Sequence, residues 1–319
     1  MPCYKPLDGY ASAYQTATGG KRIVFSPEKA EDPRSIIPIP CGRCIGCRLE
    51  KAKSWALRCY HEASLYGNKN AYITLTYADP SLPENYTLQK DHFQKFIRAL
   101  RQKTGEKIRY YMCGEYGNLC CQHNHWTDHQ PPDRPDIPQC QTCTTGRPHY
   151  HAIIFNFDFP DKKLFCLRKG NRVYTSALCT DLWGRGHSEI SGASFHSASY
   201  VAQYILKKQN GKWAEKAYTD QGRIAPYTQM SLRPGIGKKW YDQYKTDLWP
   251  HDYAVTPDGR KMPVPDYYTN LLKKEDPDLY RLLKDARLEK AINNPDNTDE
   301  RLETREIVAT AKLKRNDRE

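Results

Sequence analysis

Apolar and polar positions alternate with two different periods along the middle of the chain. In CRLEKAKSWALRCYHEASLYG (47–67), Leu49, Ala52, Ala56, Cys59 and Ala63 recur at helical spacing and Gly67 closes the run, which predicts a helix. AYITLTYA (71–78) is β-branched and aromatic and stops before Pro80, the pattern of a strand. TLQKDHFQKFIRALRQK (87–103) shows one apolar face, Phe93, Phe96, Ile97 and Leu100, behind Thr87 as a plausible N-cap. KIRYYMCGEYG (107–117) and HYHAIIFNF (149–157) read as strands. A helix follows around TSALCTDLW (175–183), then a short strand or loop at GHSEISGASF (186–195). Last comes a helix over SASYVAQYILKKQNG (197–211), ended by its glycine. Strands alternating with helices over about 140 residues predict an α/β or α+β domain.

The flanks lack this order. Residues 1–40 are rich in Pro, Gly and Ser and read as a loosely structured arm. Residues 116–147 carry many Pro, Gln, Cys and His and little apolar content. From about 248 the chain becomes proline-rich and extended through DYAVTPDGRKMPVPDYY, and 267–315 is highly charged and helix-prone. This suggests three regions: an arm with a cysteine cluster and helix (1–67), the α+β domain (68–247, with 116–147 inserted), and an extended segment with a helical tail (248–319). No repeat of solenoid length is present.

Charge and cysteine usage narrow the function. There are 49 Lys+Arg against 37 Asp+Glu, a net +12 with a pI near 9.0, which favours an anionic partner such as nucleic acid. No apolar run has membrane-spanning length and no secretory signal pattern opens the chain, so a soluble protein of a reducing compartment is expected, with no membrane partner. The 12 cysteines are grouped: Cys41, Cys44 and Cys47 form a double C-x-x-C, and Cys140 and Cys143 a third pair. Random placement would give roughly 0.5 such pairs, so metal binding is a better reading than a disulfide framework.

Three constellations carry candidate chemistry. His149 and His151 alternate in a strand and project to one face, a geometry for one metal ion held by two imidazoles. Glu115, at the end of the preceding strand, becomes a third ligand if the two strands pair. That donor set suits a Mg²⁺ or Mn²⁺ that polarises phosphate. On the helix at 197–211, Tyr200 and Tyr204 are i and i+4, with Lys207 and Lys208 one turn on: nucleophiles beside a cation. Alone, each pattern is equally compatible with packing, buried histidines or an amphipathic helix. Cys41, Cys44 and Cys47 supply three thiolates, with Cys3 or Cys59 as a fourth. A structural Zn²⁺ is the first expectation and an iron–sulfur cluster the second. Cys120, Cys121, His123 and His125, with Cys140 and Cys143, suit a second zinc staple within 116–147. Lys207-Lys208, Lys238-Lys239, Arg43 and Arg48, with nearby Tyr and Trp, suit phosphate contacts and base stacking.

In order, TLTY (74–77), GEYG, RPHYHAIIF and YVAQYILKK resemble the HUH endonuclease superfamily. More narrowly, with PCGRCIGCR (40–48), TLTYADPSLP (74–83) and MSLRPGIGKKWY (230–241), the chain is similar to the rolling-circle replication initiators of Microviridae phages, in their gokushovirus-type branch. The resemblance covers most of residues 1–290.

It implies an α+β HUH core: a central antiparallel sheet of about five strands bearing the histidines, helices on one face, and the tyrosine helix over the site. It also implies an endonuclease that nicks origin DNA through a 5′-phosphotyrosine, leaves a 3′-OH primer and later religates. The metal ligands would be His149, His151 and Glu115, the nucleophiles Tyr200 and Tyr204, and the lysine Lys207 or, second, Lys208. Single-stranded and supercoiled origin DNA, with host helicase and polymerase, would be the partners, in the cytoplasm of a bacterial host. Competing readings are a relaxase or transposase of the same superfamily, and a zinc-stabilised DNA-binding regulator without catalysis.

Overall fold

The computed structural model describes residues 3–15, 21–119, 146–168, 170–195, 197–199, 201–202, 218–292 and 294–316. The chain divides into two compact units, residues 1–50 with 281–319, and residues 51–280.

In the first unit the expected loose arm is instead a three-stranded antiparallel sheet. It is built from β1 (Leu7–Gln15), β2 (Lys21–Val24) and β3 (Ile37–Ile39), in the order β2-β1-β3. The small residues in the middle of β1 and the brevity of β2 and β3, four and three residues, hid it. Gly9 lies where β1 passes closest to its neighbours, and a Cβ there would sit 2.6 Å from Ile39 Cγ1. Helix α1 (Ile45–Ser64) begins in this unit and runs into the second.

The second unit is organised by a seven-stranded antiparallel sheet. Its strands are β4 (Asn70–Tyr77), β5 (Arg109–Tyr116), β6 (Pro148–Phe155), β7 (Lys163–Arg168), β8 (Asn171–Thr175), β9 (Gly186–Gly192) and β10 (Tyr227–Met230), in the order β10-β5-β6-β4-β9-β8-β7. About five strands were expected. The β7–β8 hairpin and the four-residue β10 escaped detection because they bury little and so lack a clear apolar alternation. The central strands β6 and β4 are the ones the pattern identified.

Helices lie on both faces of this sheet, and the face expected to carry only the helix at 197–211 carries α1 as well. On the first face, Ile73, Leu75, Met112, Tyr150, Ala152 and Ile154 pack with α2 (Lys90–Thr104) and α3 (Ala177–Trp183) through Phe93, Phe96, Leu100, Cys179 and Trp183. On the second, Tyr111, Cys113, Ile153 and Phe155 meet Ala52, Ala56 and Cys59 of α1, together with Ala198, Val201 and Ala202. The described residues 197–199, 201 and 202 are helical, as the sequence pattern predicted. Thr87 is not the cap of α2. The helix starts three residues later, and the Thr87 hydroxyl oxygen accepts the Ile224 N–H at 2.8 Å.

Beyond the sheet, α4 (Lys238–Tyr244) precedes a small hairpin of β11 (Ala254–Val255) and β12 (Lys261–Met262), and then α5 (Asp266–Glu275). The charged tail forms α6 (Pro277–Ile292) and α7 (Asp299–Asn316), as its composition implied. A buried ion pair fastens the stretch before α4. Arg109 Nε donates to Glu62 Oε1 at 2.6 Å, while Glu62 Oε2 accepts the Gly237 N–H at 2.7 Å. No described helix is long and apolar enough to cross a membrane.

Candidate functional site

The site is built on the pairing of β5 with β6. The two strands run antiparallel in a register that sets Glu115 opposite His149 and Cys113 opposite His151. The hydrogen bonding continues past the strand ends. Gly117 donates to Arg147 O at 2.9 Å and Gly146 donates to Gly117 O at 3.0 Å, so both ends of the 120–145 segment are tied to the ladder. Side-chain alternation then puts Glu115, His149 and His151 on one face of the sheet.

Their metal-ligating atoms converge within 4.8 Å of one another. Glu115 Oε1 lies 2.7 Å from His149 Nε2 and 3.1 Å from His151 Nε2. Glu115 and His151 are buried. Burial alone would raise the Glu115 carboxyl, but the two imidazoles outweigh it and hold the group down at about 2. Burial pushes His151 below its ordinary range, which keeps the ring neutral and able to ligate.

The outer nitrogens decide which atoms face the carboxylate. His149 Nδ1 lies 3.1 Å from the Arg147 carbonyl oxygen. A carbonyl only accepts, so Nδ1 carries a hydrogen and Nε2 is the atom that faces the carboxylate, through a proton in the metal-free site or through a lone pair given to a bound cation. A lone pair 2.7 Å from a carboxylate oxygen calls for a proton or a metal cation between them. His151 Nδ1 is held from β4 by the Tyr72 hydroxyl at 2.7 Å and the Thr74 hydroxyl at 2.9 Å. Such outer partners fix ring orientation in metal sites. Two imidazoles and a carboxylate, oriented in this way, fit a divalent cation such as Mg²⁺ or Mn²⁺ with open positions for an oxygen ligand.

Tyr72 and Thr74 were missed as functional residues in the sequence. The signal was the alternation of β4, which puts Tyr72, Thr74 and Thr76 on one face once its pairing with β6 is known. On the other side of β4, Thr76 faces His187 and Thr74 faces Glu189 of β9.

Tyr200, Tyr204, Lys207 and Lys208 lie outside the described residues. Their neighbours Ala198, Val201 and Ala202 are buried against Cys113, Ile153 and Phe155, on the sheet face that carries Glu115, His149 and His151. Cys120, Cys121, His123, His125, Cys140 and Cys143 also lie outside the described residues. Cys41, Cys44 and Cys47 are brought together with Cys3, all four sulfurs within 4.8 Å, a set that can hold a metal. Cys59, the other candidate for fourth ligand, is instead buried in the core beside Ala56 and Cys113. Of the basic positions, Lys238 pairs with Asp242 along α4.

Residues 70–142 and 138–209 match the family described as Replication-associated protein ORF2/G2P. The chain is also 33% identical over 288 residues to the replication-associated protein VP4 of Bdellovibrio phage phiMH2K, covering 87% of this chain and 79% of that one. The chain belongs to the phage replication-associated protein family. A second relative in that family is the replication-associated protein ORF2 of Spiroplasma virus 4, 28% identical over 249 residues, 74% of this chain and 68% of its own. A third, ORF4 of Chlamydia phage 1, is 26% identical over 180 residues, 54% of this chain and 38% of its own. No solved structure matches. The family match spans β4, β5 and β6, the strands that carry Glu115, His149 and His151, and runs on to residue 209.

Proposed function

We propose that this protein starts rolling-circle replication of a single-stranded DNA phage by nicking one strand of origin DNA and later religating it. The observation that carries the reading is the convergence of the ligating atoms of Glu115, His149 and His151 within 4.8 Å, on the sheet face against which Ala198, Val201 and Ala202 pack. Family membership and a net charge of +12 support a DNA substrate.

Glu115 and the Nε2 atoms of His149 and His151 would hold a Mg²⁺ or Mn²⁺, which would supply Lewis-acid polarisation of the scissile phosphate. The phenol oxygen of Tyr200 or Tyr204 attacks phosphorus, the bond from phosphorus to O3′ breaks, and the 3′ oxygen leaves as a hydroxyl after taking a proton. The phenol proton passes to solvent. Lys207, or Lys208 in second place, places an ammonium where negative charge develops on the phosphate and leaving oxygen. The product carries a 5′-phosphotyrosine and a free 3′-OH for polymerase. After a round of synthesis the second tyrosine cuts the new copy, and a 3′-OH attacks the first phosphotyrosine, breaking its P–O bond and closing the strand. The phosphodiester energy is retained, so no nucleotide cofactor is consumed. Host helicase and polymerase are the partners this scheme requires, in the cytoplasm of the bacterial host.

Incubation of the full chain with circular single-stranded phage DNA and Mn²⁺ tests the reading. The expected product is a linear strand with protein on its 5′ end and a 3′ end that a polymerase extends. DNA that is bound but never broken contradicts it and favours a regulator.

A further inference from the structure

The N-terminal sheet buries few apolar side chains of its own: Leu7, Ile23, Phe25 and Ile36 are exposed, and among the described apolar residues of 3–50 the buried ones are Cys3, Tyr10 and Cys44. A small sheet with so little burial gains from a staple. The register of the sheet supplies the place for one. Leu7 pairs with Ile39, so Cys3 just before β1 and Cys41 just after β3 emerge from adjacent strand ends. Cys44 precedes α1 and Cys47 lies in its first turn.

The four sulfurs are spaced for one ion. Cys3 Sγ and Cys44 Sγ are 3.9 Å apart, far beyond a disulfide bond, and all four cysteines are free. A zinc–sulfur bond of about 2.3 Å gives a tetrahedral edge of roughly 3.8 Å, which matches. A multi-iron cluster, with each thiolate on a different iron, needs a wider frame than the 4.8 Å that encloses the four sulfurs.

Backbone donors point at the sulfurs. Cys3 Sγ accepts the Cys41 N–H at 3.3 Å, and Cys44 Sγ accepts those of Tyr4 at 3.3 Å and Cys47 at 3.5 Å. Cys41 Sγ accepts those of Cys44 at 3.3 Å and Arg43 at 3.4 Å. Donors converging on sulfur stabilise anionic thiolates, the form that binds metal.

We infer that Cys3, Cys41, Cys44 and Cys47 form a closed tetrathiolate zinc site that staples the N-terminal sheet to the start of α1. With four protein ligands the site has no open position and is structural. Its ligands are a different set of residues from Glu115, His149 and His151.

Metal content of the purified full chain, measured without DNA, tests it. Cys3→Ser and Cys44→Ser should each hold one zinc fewer per chain than wild type, while Cys59→Ser holds the same amount. The comparison is a difference, so any ion on residues 120–143 drops out. Equal zinc in wild type and Cys3→Ser, or loss of zinc in Cys59→Ser alone, overturns the assignment, as does stoichiometric iron in place of zinc. If the serine variants do not fold, alkylation of the wild-type chain decides. A strong chelator should expose Cys3, Cys41, Cys44 and Cys47 together to iodoacetamide, and labelling that the chelator leaves unchanged contradicts the site.

Discussion

The Tyr72 hydroxyl lies 2.7 Å from His151 Nδ1, with its ring stacked against the imidazole at a centroid distance of 5.7 Å. Thr74, two residues on along β4, meets the same nitrogen at 2.9 Å. Two hydroxyls of β4 thus fix the orientation of the His151 ring on the neighbouring strand.

Removing one hydroxyl leaves the other in place, so Tyr72→Phe and Thr74→Val should each weaken Mn²⁺ binding only slightly. The double variant should weaken it about 10–100-fold. Titration followed by the electron paramagnetic resonance of free Mn²⁺ reads this directly, and unchanged affinity in the double variant contradicts the role.

Glu62 and Arg109 are paired in the interior, their side chains 0% and 11% exposed. Glu62→Ala leaves a buried guanidinium without its carboxylate and the Gly237 N–H without an acceptor. The expected cost is about 3–5 kcal/mol, seen as a lower urea midpoint for unfolding. Glu62→Gln keeps the shape and part of the hydrogen bonding, and should fall between that variant and wild type.

His61 is buried against Trp240, ring centroids 3.4 Å apart, and burial pushes its imidazole down to about 3. The unfolded chain takes up this proton below about 6.5, whereas the folded chain does so only near 3. Between these values the unfolded state binds more protons, so stability falls as pH falls. Wild type should lose up to about 1.4 kcal/mol per pH unit more than His61→Phe below pH 6.5. Denaturant melts of both proteins at pH 7.5 and 5 check this, and parallel losses contradict it.

The elements that bury a regular stripe were legible in the sequence: α2 from Phe93, Phe96, Ile97 and Leu100, and the strands around TLTY and HYHAIIF. So was the pairing of His149 with His151, because alternation alone puts the two on one face. What the sequence withheld was register. Whether Glu115 meets His149 depends on how β5 and β6 align across residues 117–147, and the bonds joining Gly117 to Gly146 and Arg147 settle that alignment. Tyr72 was illegible for the same reason, since its partner is 79 residues away. The N-terminal sheet was missed because Gly9, Ala11, Ser12 and Ala13 carry little hydrophobic signal. The sequence offered Cys3 or Cys59 as the fourth thiolate, and the pairing of Leu7 with Ile39 is what brings Cys3 beside Cys41.

The most direct test of the central claim is to map the covalent bond. Full-length protein is mixed with single-stranded phage DNA and Mn²⁺, and the adduct is digested and its peptide identified by mass spectrometry. The account predicts a 5′-phosphate ester on Tyr200 or Tyr204, lost when both become phenylalanine and absent from a His149→Ala/His151→Ala variant. An adduct on any other residue, or equal yield from the histidine variant, contradicts it.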